Sequence, residues 1–206
     1  MTTKIVSEDD IKLVCASNKT IELDKVVWDD QQIVPGAFSF AGVGDPTLSD
    51  WQPGASGATF KVYKFQKDDE AFAVAQFSHS YKQGEDVICH LHWSSGDRGG
   101  AEGTALVGWK VDYSWSNTSG VFPSSSTADL SDACSGVDDT HEITSGVTMT
   151  GTSKNISSML VLRIYRSDTG ADDTWAGVTA AQSPILLEFD IHYPIDTLGS
   201  RQEFIK

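Results

Sequence analysis

Residues 185–195 alternate with almost no fault. Ile185, Leu187, Phe189, Ile191 and Tyr193 are apolar, and Glu188, Asp190, His192 and Pro194 stand between them. A strand turns successive side chains to opposite faces, so this run predicts a half-buried β-strand. Similar runs occur at 59–65, 72–77, 87–93, 104–115, 141–149 and 157–165. Lys67-Asp68-Asp69-Glu70 and Lys82-Gln83-Gly84-Glu85 are polar turn signals between them. Gly108, near the middle of one run, marks a bulge or a close backbone approach. No useful stretch repeats at 3.6 residues, and the strand–helix alternation of parallel α/β folds is absent. The pattern predicts an all-β chain, an antiparallel two-sheet sandwich of the jelly-roll type. It reads as a single β-sandwich domain over residues 1–206. Residues 1–10 form a loose N-terminal arm, in which Ser7 can cap a short helix.

Other segments carry weaker signals. Residues 26–34 have no clean period. Residues 38–57 are rich in Gly, Pro, Ser and Asp yet carry Trp51, which suits either a contact arm or a loop packed on its own core. Residues 120–136 read as a long exposed loop, and 169–177 as a polar loop carrying Trp175.

The charge excludes some partners. With 15 basic and 29 acidic side chains, the formal charge is -14. That balance opposes a sequence-independent hold on nucleic-acid phosphates and adsorption to an anionic membrane. No stretch approaches the ~20 apolar residues of a membrane helix. Lys4 is followed by acidic residues rather than an apolar run, so no signal peptide is read. Cys15, Cys89 and Cys134 are odd in number and scattered, which suits free thiols in a reducing compartment rather than a disulfide framework.

Two strands organise polar groups. His90 and His92 share one face of their strand, and Asp190 and His192 share one face of theirs. If these strands pair, three histidines and a carboxylate meet, a ligand set suited to a divalent metal. His90, His92, His192 and Asp190 are therefore the metal candidates. The competing reading is that the rings hydrogen-bond across a strand pair or line an interface. His79 and His141 have no partner by spacing, and no serine sits in a Gly-x-Ser-x-Gly elbow. The aromatic residues Trp51, Trp109, Tyr113, Trp115 and Trp175 are candidates for core or subunit-contact packing. A stripe of them on a surface would instead suit sugar rings.

Gly84 followed by His90-Leu91-His92 resembles the opening of the cupin metal motif. The glutamate expected soon after the second histidine is missing: Gly96 and Asp97 stand there. A broader resemblance runs from Val27 to Ser200. Its pieces, in order, are Val27-Trp28-Asp29-Asp30, Gln76-Phe77-Ser78-His79-Ser80-Tyr81-Lys82-Gln83-Gly84-Glu85-Asp86, His90-Leu91-His92-Trp93 and Gly108-Trp109-Lys110-Val111-Asp112-Tyr113-Ser114-Trp115. Met159-Leu160-Val161-Leu162-Arg163-Ile164-Tyr165-Arg166 and Phe189-Asp190-Ile191-His192-Tyr193-Pro194-Ile195-Asp196-Thr197-Leu198-Gly199-Ser200 complete it. Together they resemble a family of small β-rich virion structural proteins of tailed bacteriophages. Ser78 departs from the proline expected before His79. The resemblance implies a capsid decoration or cement protein, or a tail-associated one. It implies a homo-trimer that contacts the major capsid protein or other virion proteins and is assembled in the host cytoplasm into the virion. It carries over no catalytic residue and no cofactor. A carbohydrate- or receptor-binding module of a tail or fibre, and a cupin-like metal-dependent enzyme, are the alternatives.

Overall fold

The computed structural model describes residues 14–15, 21–200 and 203, leaving out the side chains of 14–15 and 21–24. The expected N-terminal arm and the Ser7 cap lie outside the described residues.

Fourteen strands are described: β1 (Val14–Cys15), β2 (Ile21–Ile33), β3 (Thr47–Trp51), β4 (Phe60–Lys64), β5 (Glu70–Gln76), β6 (Val87–Ser94), β7 (Leu106–Val107), β8 (Trp109–Ser116), β9 (Ser126–Asp129), β10 (Asp132–Ala133), β11 (His141–Ile143), β12 (Val147–Met149), β13 (Met159–Arg166) and β14 (Ile185–Thr197). Every pairing is antiparallel. The helices are short: a four-residue α-helix, α1 (Gly99–Glu102), and three-residue 3-10 turns. The architecture is an all-β sandwich of jelly-roll-like form, as the alternation predicts.

β14 is the hub of the larger sheet. One edge pairs with β2 and, at Ile185 and Leu186, with β4; the other edge pairs with β6. β1 flanks β2, β3 flanks β4, and β11 and β12 lie along the far edge of β6. The smaller sheet runs β5-β13-β8-β9, and β7 pairs with β10 as a separate ribbon.

Period 2 decides what meets in the middle. Cys89, Leu91 and Trp93 of β6 face Ala71, Ala73 and Ala75, Leu160, Leu162 and Ile164, and Trp109, Val111 and Trp115 of the smaller sheet, all of them buried in one core. Phe77 stacks on Trp115 with centroids 4.6 Å apart, Phe65 meets the edge of Trp109 at 5.4 Å, and Trp93 meets Trp175 at 6.3 Å. Offset and edge-on rings like these fill volume while matching their quadrupoles.

One buried ion pair ties a loop to this core. Arg166 binds Asp173 through two hydrogen bonds, of 2.6 and 2.9 Å, and donates a third to the Phe65 carbonyl at 2.9 Å. Burial pulls the Asp173 carboxyl upward. The Arg166 guanidinium, the Gly108 N–H and Lys67 outweigh that and hold it below the usual carboxylate range.

Several elements differ from the sequence reading. The run 104–115 breaks at Gly108, where an added Cβ would lie 3.1 Å from the Asp173 Cβ, so this glycine marks a close approach. The run 141–149 splits into β11 and β12. Residues 26–34 belong to the long β2, and the loops at 38–57 and 120–136 contain β3, β9 and β10. In β14 the alternation changes parity. Leu187 is an extra residue against β6, so Leu186 rather than Ile185 or Leu187 joins Phe189, Ile191 and Tyr193 in the core. The three apolar residues 185–187 can bury a side chain in either register, so their pattern does not reveal the bulge.

Candidate metal centre

The inward turn of Cys89, Leu91 and Trp93 sends His90, His92 and Ser94 to the outer face of the larger sheet. In β14, the inward turn of Phe189, Ile191 and Tyr193 does the same for Glu188, Asp190 and His192. Register then brings the two sets together: Asp190 lies opposite His90, and Glu188 opposite His92. From β2, Asp30 lies opposite His192. From β11, His141 lies opposite Ser94.

The Nε2 atoms of His90 and His92 are 3.0 Å apart. The Asp190 Oδ2 is 3.6 Å from His90 Nε2, 3.9 Å from His92 Nε2 and 3.7 Å from His192 Nε2. The rings of His90 and His192 stack at 4.6 Å. On the far side of the rings, His192 Nδ1 pairs with the Asp30 carboxylate, and His92 Nδ1 lies 2.8 Å from His141 Nε2. His90, His192 and Asp190 form one group of converging ligand atoms, and His92, Glu188 and Asp190 form an overlapping one.

The electrostatics are lopsided. Asp190 is 3% exposed, its Oδ1 has no hydrogen-bond partner, and its Oδ2 contacts lie beyond hydrogen-bond length. Burial and then the neighbouring His192 lower the His90 pKa, against the pull of Asp190. A neutral His90 keeps a lone pair available for a proton or a metal.

All four metal candidates thus occupy one cluster. His141, which has no partner by spacing, joins it, as do Asp30 and Glu188. Glu188 was legible, two positions before Asp190 on the same face. Asp30 and His141 depend on cross-strand register, which spacing within one segment does not carry. Asp97 lines a different site, a cleft of about 650 Å³ that also includes Trp51 and Asp139.

The interface aromatics divide. Trp109, Trp115 and Trp175 are 0%, 2% and 2% exposed and offer no surface to a partner, which corrects that part of the expectation. Period 2 grouped Trp109 and Trp115 on one face, and that face is the inner one. Tyr113 is half-buried against the same core. Trp51 is half-buried and donates its indole N–H to Asp139 at 2.6 Å, so its loop packs on its own chain. Trp28, on the outer face two residues from Asp30, is exposed.

No protein-family model matches the chain. No characterised protein matches it in sequence. It is similar to a carbohydrate-binding module, TmCBM61 in complex with beta-1,4-galactotriose, at 6% identity over 82% of this chain and 88% of that one, with a TM-score of 0.28. It is also similar to a chain of the T13 IBDV viral particle, at 12% identity over 97% of this chain and 45% of that one, with a TM-score of 0.29. This chain therefore spans less than half of the viral one. Neither likeness is close enough to bear on function.

Proposed function

We propose that the protein is a structural component of a tailed-phage virion, a capsid decoration or cement subunit that works as a homo-trimer. The ordered resemblance from Val27 to Ser200 motivates the reading. One structural observation supports it: the interior is closed by interlocking aromatic rings, and apolar groups remain on loops and outer faces, where a neighbour can cover them. Val121 and Phe122 stand exposed in the loop between β8 and β9, and Leu48 and Phe60 on the β3–β4 ribbon. Scattered exposed apolar residues are ordinary, but a hydrophobic loop tip beside a rigid sandwich suits gripping rather than catalysis.

Two measurements test this. Light scattering on the purified chain is expected to give three times 22.3 kDa. Particles lacking the chain are expected to bind it saturably, and Phe122→Asp to weaken that binding while leaving the circular dichroism unchanged. A monomer that does not bind particles would overturn the reading.

A second reading has its own observation. The Trp51 cleft offers an indole beside the carboxylates of Asp50, Asp97 and Asp138, an aromatic platform with acceptors that suits a sugar ring. A glycan array with the wild type and Trp51→Ala tests it, and no binding by the wild type would remove it.

A further inference from the structure

We propose that the outer face of the larger sheet binds one divalent first-row transition cation of the zinc class, through the converging ligand atoms of His90, His192 and Asp190. The site is independent of where the protein resides.

Three observations carry it. The first is the state of Asp190. It is buried, one oxygen has no partner, and among the described residues the basic groups within ion-pair distance are the three histidines alone. A buried carboxylate without compensation costs several kcal/mol. Hydrogen bonds among the rings do not remove that cost, because they run from nitrogen to nitrogen and leave the carboxylate out. Glu188 and Asp30 add further negative charge around the rings. A dication answers all of it.

The second is spacing. Ligands about 2.0–2.1 Å from a tetrahedral ion stand roughly 3.4 Å from one another. The separations of 3.6 and 3.7 Å from the Asp190 Oδ2 to the His90 and His192 nitrogens lie close to that value. Imidazole nitrogen selects zinc, copper or nickel over calcium and magnesium, which take oxygen.

The third is the outer shell. A metal-bound histidine ordinarily anchors its other nitrogen on a carboxylate or another acceptor, which fixes the ring and aims the ligating lone pair. Asp30 plays this part for His192. Such an ion would clip β14 to β6, with Asp30 of β2 holding His192 from behind.

Calorimetry of the full, metal-stripped chain with Zn²⁺ tests the site, with Co²⁺ as a spectroscopic probe. One Zn²⁺ per chain is expected, and the Co²⁺ form is expected to show visible ligand-field bands that Zn²⁺ bleaches. At ~100-fold excess over Kd, Zn²⁺ is expected to raise Tm by roughly 5–10 °C. His192→Gln, at a partly exposed ring, is expected to abolish the bands, and Asp30→Asn to weaken Zn²⁺ binding about 10- to 100-fold. Asp190→Asn gives a readout of opposite signs: a higher Tm without metal, because the orphan charge is gone, and no Tm response to Zn²⁺. Absence of stoichiometric Zn²⁺ binding would overturn the proposal. So would affinity that survives His192→Gln, or an Asp190→Asn chain that is less stable without metal yet still responds to Zn²⁺.

Discussion

Removing the charge of Asp173 should cost more than any surface change in this protein. Asp173 is 1% exposed and Arg166 is 0% exposed. The carboxylate accepts two hydrogen bonds from Arg166, one from the Gly108 N–H at 3.0 Å and one from the Trp175 N–H at 3.2 Å, with Lys67 at 3.3 Å. Asp173→Asn keeps the shape but presents an amide N–H₂ to donors and strands a buried guanidinium. Breaking one side of a buried pair typically costs about 3–5 kcal/mol. At about 2–4 °C per kcal/mol for a chain of this size, Tm should fall by roughly 6–20 °C. Urea unfolding followed by tryptophan fluorescence measures it, with the midpoint falling and the slope unchanged. The double variant Arg166→Met with Asp173→Leu should recover most of the loss, because it removes both charges and fills the volume. A loss below about 1 kcal/mol for Asp173→Asn would refute the view that this pair anchors residues 169–175 to the break between β7 and β8.

Three further outcomes are expected. Burial pushes the Asp69 carboxyl up to about 6, so the folded state holds a proton that the unfolded chain releases near pH 4. Stability should therefore fall as pH rises from about 4 to about 6 and level off above, by about 1–3 kcal/mol, and Asp69→Asn should flatten that slope in urea titrations. Burial pushes the Cys89 thiol up to about 12 and also raises Cys134, so neither should react with a disulfide reagent at pH 8 until denaturant is added. Gly151→Ala would place a Cβ 1.7 Å from the Glu85 carbonyl oxygen and 2.5 Å from the Tyr81 hydroxyl. It should lower stability by about 1–3 kcal/mol, measured by thermal unfolding, whereas Gly36→Ala, with open space around it, should be nearly neutral.

Legibility followed the range of the interactions. Alternation in residues 87–93 and 185–195 was enough to place β6 and β14, because a strand with one apolar and one polar face records both in its own sequence. The same alternation put His90 with His92 and Asp190 with His192. What it lacked was the partner across the ladder. That His192 meets Asp30, and that His92 meets His141, is set by register between segments far apart in the chain. Direction was the other gap. Trp109, Val111 and Trp115 share a face in any strand, but only the covering sheet makes that face the interior. Residues 47–51 and 126–129 are short and polar and carry no clear period of their own; they are strands by virtue of neighbours that complete their hydrogen bonds.

A virion role is tested most directly by an electron cryo-microscopy map of the intact particle. Density fitting this sandwich is expected on the particle in three-fold clusters, with the loop carrying Val121 and Phe122 against a neighbouring protein. A well-resolved map in which every density belongs to other chains would contradict it.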